Sequence, residues 1–228
     1  MTKPYSLIIF DWDGTLSDSI PNIVSALKTA AVQAGIEPAQ DDACRGVIGL
    51  SLKKAIHTLH PLESDAMIDR LFDLYKTEHH RLEQKPSQLF EGVTEGLNRL
   101  RQSDIRLAVA TGKRQVSLDR SLRASDCQHF FELTQACDGL PSKPHPKMLE
   151  VILEKAGLDV GDALMVGDSV FDLAMAEQIG MDRVGVGYGS QPAKTLQRHK
   201  PLMIAEHFKS FIHWLDSRAD QPMLMEAK

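Results

Sequence analysis

The sequence predicts an α/β fold: a Rossmann-like, doubly wound parallel sheet with a small all-helical segment inserted after its first strand. Three observations predict it. The apolar runs SLIIF (6–10), RLAVA (106–110) and ALMV (163–166) lack the alternation of a half-exposed strand, as strands buried on both faces do. Segments of helical pattern separate these runs, which is the rhythm of βαβ units with right-handed crossovers. Between Ser19 and Lys85 that rhythm stops, and only helical patterns remain.

In chain order, SLIIF is the first strand and runs straight into Asp11. Ser19, with Pro21 two residues on, opens a helix over Ile20–Ala34, whose Ile23, Leu27, Ala30 and Ala34 share one face. Leu52–Leu59 and Ala66–Leu82 read as helices too. Residues 19–85 are therefore expected to form a helical domain, with 1–18 and 86–228 as the core. The turn Asp13–Asp18 and the stretch Gln84–Ser87 are the expected hinges. Within the core, Gly92–Gln102 carries Val93, Leu97 and Leu100 at helical spacing, and RLAVA follows as a strand. Arg114–Ala124 is the next helix and Phe131–Thr134 the next strand. Pro146–Ala156 is a helix stopped by Gly157, and Phe171–Ile179 one stopped by Gly180. Arg183–Gly187 and Leu202–Ala205 complete the strands, and the tail Asp216–Lys228 is weakly patterned and expected to fray.

Composition narrows the function. Hydrophobic residues make up 43% and charged residues 25% of 228 positions, which excludes a disordered chain and allows a large core. Lys and Arg number 26 against 31 Asp and Glu, and a net charge of -5 leaves no basic footprint for nucleic acid or an anionic membrane. Cys44, Cys127 and Cys137 lie far apart, a pattern of reduced thiols and not of a disulfide frame or zinc site. The first apolar run ends at Asp11 and no later run reaches membrane-spanning length, so a cytoplasmic protein, monomer or homodimer, is expected.

In open α/β sheets, ligands bind beyond the carboxyl ends of the strands. The three apolar runs deliver Asp11 and Asp13, then Thr111 and Gly112, then Asp168 and Asp172 to that edge. Two unit charges about 4 Å apart repel by about 4 kcal/mol at an effective dielectric near 20. Four converging acids therefore call for a cation. With no His or Cys grouped among them, the hard, all-oxygen set favours Mg²⁺.

Asp11-Trp12-Asp13-Gly14-Thr15 matches the DxDGT signature of the haloacid dehalogenase-like hydrolases. The match continues through Thr111-Gly112, Lys143-Pro144 and Gly167-Asp168-Ser169-Val170-Phe171-Asp172, each in the family's order. The chain resembles the phosphoglycolate phosphatase-like branch, and the helical insert falls where that family's type 1 cap belongs. The resemblance implies that Asp11 is the nucleophile and forms an aspartyl-phosphate. It implies that Asp13 protonates the leaving alkoxide and then activates water. The Asp13 carbonyl, Asp11 and Asp168 would hold Mg²⁺, with Asp172 supporting the metal shell or Lys143. Thr111 and the Gly112 amide would bind phosphoryl oxygens, and Lys143 would neutralise their charge. Dehalogenases lack an acid two residues after the nucleophile because halide leaves without a proton, so Asp13 points to phosphate esters.

The cap segment Arg45–Ser51 is a glycine-bearing loop between helices, and Arg45, Ser51 and Lys53 are the candidates for substrate contact. His79–His80 and the acidic stretch Glu63–Asp73 read as a solvated helix face, Trp12 as packing, and His145 as structural. The expected function is a Mg²⁺-dependent phosphatase of a small phosphorylated metabolite, phosphoglycolate-like. A phosphomutase of the β-phosphoglucomutase type shares all four motifs. A noncatalytic phospho-ligand binder is the remote alternative, for which Asp13 would have no use.

Overall fold

The computed structural model describes residues 5–85 and 87–219. Strand β1 (Leu7–Phe10) is buried along its whole length and leads, through a tight turn at Asp13–Ser17, to four helices. These are α1 (Ile20–Ala34), α2 (Asp41–Gly46), α3 (Leu52–Leu59) and α4 (Asp65–Leu82). The chain then alternates: α5 (Val93–Arg101), β2 (Arg106–Ala110), α6 (Gln115–Ala124), β3 (Leu133–Gln135), α7 (Lys147–Ala156), β4 (Ala163–Gly167) and α8 (Val170–Gln178). It closes with β5 (Asp182–Val186), α9 (Ala193–Leu196), β6 (Ile204–Ala205) and α10 (Phe208–Ala219).

All six strands are parallel, in the order β3-β2-β1-β4-β5-β6. This is the doubly wound order, with β1 at the centre where the winding reverses. Side chains alternate across each strand, so the sheet feeds two apolar layers. Ile8, Phe10, Val109 and Val166 face one way toward α5 and α10; Leu7, Ile9, Ala108 and Met165 face the other, toward α7 and α8. Trp12, 1% exposed, packs edge-on to Phe131 at 6.4 Å in the first layer, as expected. The four inserted helices have a separate apolar cluster, in which Ile23 and Leu27 of α1 meet Ile68 and Leu71 of α4.

Two helices depart from the sequence reading. Arg45 and Gly46 belong to α2, so the connecting loop begins only at Val47. The chain before the expected frayed tail is the helix α10, which reaches through Asp216 to Ala219; the rest of that tail lies outside the described residues. Phe208, Phe211, Ile212 and Leu215 recur at helical spacing and press α10 onto the sheet, where Phe211 meets Phe10 edge-on at 5.9 Å. Strand β3 is displaced by a residue or two, to Leu133–Gln135, and β6 shortens to Ile204–Ala205, the residues in register with Gly185 and Val186 of β5, although the Leu202 N–H and the Met203 carbonyl also bond to that strand.

Candidate active site

Parallel β1, β2 and β4 end within one residue of one another, and their next residues are Asp11, Thr111 and Asp168. Asp11 is locked there because its N–H donates to the Val166 carbonyl at 2.9 Å. Lys143 comes from the loop before α7 and is wholly buried. Its Nζ donates to Asp11 Oδ1 at 2.8 Å, Asp172 Oδ1 at 2.6 Å and the Ala110 carbonyl at 2.9 Å. Carboxylate oxygens of Asp11, Asp168 and Asp172 lie within 4.8 Å of one another. Burial and crowding set their titration. Asp11 is held well above the usual carboxylate range, first by burial and then, against the relief from Lys143, by Asp172 and Asp168. Burial, followed by the charge of Asp172, lifts Asp168 to about 6.

Asp168 is gripped from two sides, accepting from the Thr15 hydroxyl at 3.0 Å and from the Ser190 N–H at 2.7 Å. Gly14 makes room for it: the residue has φ +83°, and a Cβ there would stand 2.3 Å from Asp168 Oδ2. Asp172 has a double duty. One oxygen holds Lys143, and the other accepts from the Ser169 N–H and hydroxyl, closing a capping box on α8.

Asp13 points elsewhere. Its Oδ1 accepts from Lys113 Nζ at 2.9 Å and from the Ser19 hydroxyl at 2.6 Å, so its side chain stands apart from the three clustered acids. Burial opposes its ionisation, yet Lys113 and the Ser19 hydrogen bond prevail and hold Asp13 below the usual range. Ser19, at the start of α1, makes no cap hydrogen bond, since its hydroxyl is committed to Asp13. Thr111 lies 1% exposed beside this pair and accepts from the Lys113 N–H at 3.2 Å. Gly112 meets the insert directly, for a Cβ there would come within 2.6 Å of the Leu50 carbonyl oxygen.

Asp11, Asp13, Thr111, Gly112 and Lys113 open onto a cleft of about 490 Å³ between the sheet edge and the inserted helices. The loop that faces it runs through Val47, Ile48, Gly49 and Leu50, whose main chain abuts Gly112. The three residues expected to touch substrate lie off this wall. Lys53 is paired with Asp69 at 2.7 Å on the outer surface, and Ser51 turns its N–H to the Ser142 hydroxyl at 2.8 Å. Arg45 sits in the last turn of α2, outside the lining residues.

His79 was expected on a solvated face and is instead buried at 8% exposure, stacked on Tyr75 at 5.2 Å and lining the cleft. Burial, and then the charge of Lys113, depress it to about 3, so it is neutral at physiological pH. Lys113 and His79 are the two site residues the sequence reading missed. The spacing Phe72, Tyr75, His79 puts all three on one face of α4, a signal present in the sequence.

This geometry agrees with what the chain resembles. A model of the haloacid dehalogenase-like hydrolases matches residues 8–186, and the chain belongs to that family. A protein described as probable phosphatase IndB, from Dickeya dadantii, is 35% identical over 90% of this chain and 91% of its own length. A phosphoglycolate phosphatase of Agrobacterium fabrum is 32% identical over 82% of this chain and 83% of its own. Among solved structures, one described as a predicted phosphoglycolate phosphatase from Haemophilus somnus superposes with a TM-score of 0.84 at 25% identity, covering 92% of this chain and 97% of that one. The chain is accordingly a phosphoric monoester hydrolase, phosphoglycolate phosphatase-like in sequence. No described helix is long and apolar enough to cross a membrane.

Proposed function

We propose that the cleft hydrolyses the phosphate monoester of a small metabolite through an aspartyl-phosphate on Asp11, with phosphoglycolate the first compound to test. One observation carries this reading: two acids on one turn, Asp11 and Asp13, each face a different lysine, Asp11 inside the buried three-acid cluster and Asp13 apart from it on the wall of the cleft. One acid thus stands where a cation and the phosphorus would meet, and the other stands free to exchange a proton.

The donor set fits a hard divalent cation, Mg²⁺ in this reading, because the cluster is three buried carboxylates with no His or Cys. Asp11, Asp168 and the main-chain carbonyl of Asp13 would hold it, and Asp172 would act through Lys143. When bound, the cation offsets the charge of the acids and of the phosphoryl oxygens. The chain's own groups do the rest. Asp11 attacks phosphorus, and the ester C–O–P linkage breaks at P–O. Thr111, the Gly112 N–H and Lys143 meet the phosphoryl oxygens. Those oxygens also compete for Lys113, which raises the Asp13 pKa and lets it take up a proton for the departing alkoxide. Asp13, now a carboxylate, accepts a proton from the water that attacks the phosphorus. Phosphate leaves and Asp11 is regenerated. Residues 19–85 serve as a cap, excluding water while the first bond breaks.

Phosphate release from a panel of phosphorylated metabolites, with and without Mg²⁺, tests the proposal. It predicts turnover that chelation abolishes and Mg²⁺ restores. Release that persists in chelator would contradict it.

A further inference from the structure

The cleft is larger and more apolar than glycolate requires. Phosphoglycolate has about nine non-hydrogen atoms, few for a cleft of about 490 Å³, a volume in the range that holds much larger ligands. The apolar part is the wall opposite the sheet edge. Ile23 and Leu27 come from α1, Ile48 and Leu50 from the connecting loop, and Phe72 and Tyr75 from α4. The core contributes Val116 of α6, which is 68% exposed and faces the same space. Val116 thus extends the apolar lining to the mouth of the cleft.

Charge points the same way. A second carboxylate, such as that of glycolate, would have to draw a cation away from an existing partner. Each Lys and Arg lining the cleft has a carboxylate of its own: Lys113 has Asp13 at 2.9 Å, Arg114 has Asp138 at 3.0 Å, Arg120 has Glu83 at 2.8 Å, and Lys76 has Asp73 at 3.4 Å. Lys113 is besides drawn to the phosphoryl end. Of the two histidines that line the cleft, His79 lies deep in the wall and is neutral, and His80 is in contact with Arg120 at 2.6 Å.

Resting on the phosphatase reading above, we infer that the physiological ester carries an uncharged and largely apolar leaving group, bigger than glycolate, seated between α4 and Val116. Recognition is divided: the sheet edge binds phosphate, and the inserted helices bind a neutral carbon skeleton. The bonds made and broken are those already described, and the released product is a neutral hydrophobic alcohol.

The test is a series of straight-chain alkyl monophosphates, ethyl to hexyl, run beside phosphoglycolate with Mg²⁺. The alcohols of the series differ little in acidity, so the trend in kcat/KM reports burial and not chemistry. The inference predicts a rise of about threefold to fourfold per methylene, with hexyl phosphate about 10-fold or more ahead of phosphoglycolate. Phe72→Ala should lower the slope, costing hexyl phosphate more than ethyl phosphate. Val116→Lys, a change on an exposed position, places an unpaired cation at the mouth and should move the preference toward phosphoglycolate by about 10-fold. A flat series, or phosphoglycolate ahead of every alkyl ester, overturns the inference and leaves the phosphatase reading standing. Failure to release phosphate from any ester overturns both.

Discussion

Asp11 and Asp13 leave the same strand end two residues apart, yet they sit in different electrostatic regions. Around Asp11 the groups are wholly buried and the acids outnumber the single lysine, so Asp11 stays well above the ordinary range. Around Asp13 one lysine and one hydroxyl serve one carboxylate, with side chains of Lys113 and Asp13 9% and 11% exposed. Asp13 is held low there. The difference teaches how one turn can supply two chemistries. On the proposed mechanism the Asp11 region takes an added cation and serves attack on phosphorus, and the Asp13 region, balanced by itself, serves proton transfer.

Removing the charge balance of the first region should have the largest effect. Lys143→Met leaves Asp11 and Asp172 buried without their cation and should cost about 3–5 kcal/mol, read by denaturant unfolding. Asp11→Asn, nearly isosteric, should instead keep the fold and lower turnover by about 10³-fold or more. Retention of a tenth of the activity would end the comparison.

Asp13→Asn comes next, with a loss of about 10²–10⁴-fold in kcat. Its Mg²⁺ affinity, measured by calorimetry, should stay close to wild type while that of Asp168→Asn collapses. Equal losses of metal in both would merge the two regions into one. Lys113→Met sharpens the contrast further. The lysine holds Asp13 low, so its removal raises the Asp13 pKa. The limb of the pH–rate profile that needs ionised Asp13 should then move to higher pH, with turnover down by about 10-fold.

A smaller effect belongs to His79. Its pKa is about 3 in the fold against about 6.5 for a free side chain. The unfolded chain therefore binds the proton first, and stability that is complete above pH 6.5 is lost as the pH falls toward 3. Melting temperature should drop less steeply over this window in His79→Gln than in wild type. Smallest of all is the contact of Arg120 on α6 with Glu83 at the end of α4, a partly exposed pair joining core and insert. Arg120→Ala should change KM by about threefold or less, since exposed pairs contribute up to about 1 kcal/mol.

Much of the Asp11 region was legible in the sequence because its members are tied to strand ends. Asp11, Thr111 and Asp168 each follow an apolar run, and parallel pairing of those runs brings them together without further information. Lys143 was legible only through the family's motif order, since nothing local says that its loop returns to Ala110 and Asp11. Asp13 itself was legible in the same way, but its partners Lys113, Ser19 and His79 were not, because they depend on side-chain direction. Lys113 follows Thr111 and Gly112 in plain view, but which way it turns is decided by the loop that Gly112 allows to pass beneath Leu50. The insert was read as helical, and its inner face was misjudged. Polar residues in the Arg45–Lys53 segment drew attention, whereas the cleft is faced by Ile48 and Leu50 and by the α4 row of Phe72, Tyr75 and His79. A helix packed on its own cluster and also walling a cleft shows two apolar faces, and a single periodicity does not separate them.

The central claim is that phosphorus passes through Asp11 while Asp13 only moves protons, and trapping the intermediate tests it most directly. An aryl phosphate is the substrate of choice, because its leaving group departs without a proton and the first step no longer needs Asp13. Rapid acid quench and mass spectrometry of the peptide containing residues 11 and 13 should find the phosphoryl group on Asp11, accumulating in Asp13→Asn because water is no longer activated. Rapid turnover of the aryl phosphate with Asp11 never labelled, or label on Asp13 itself, would contradict the account.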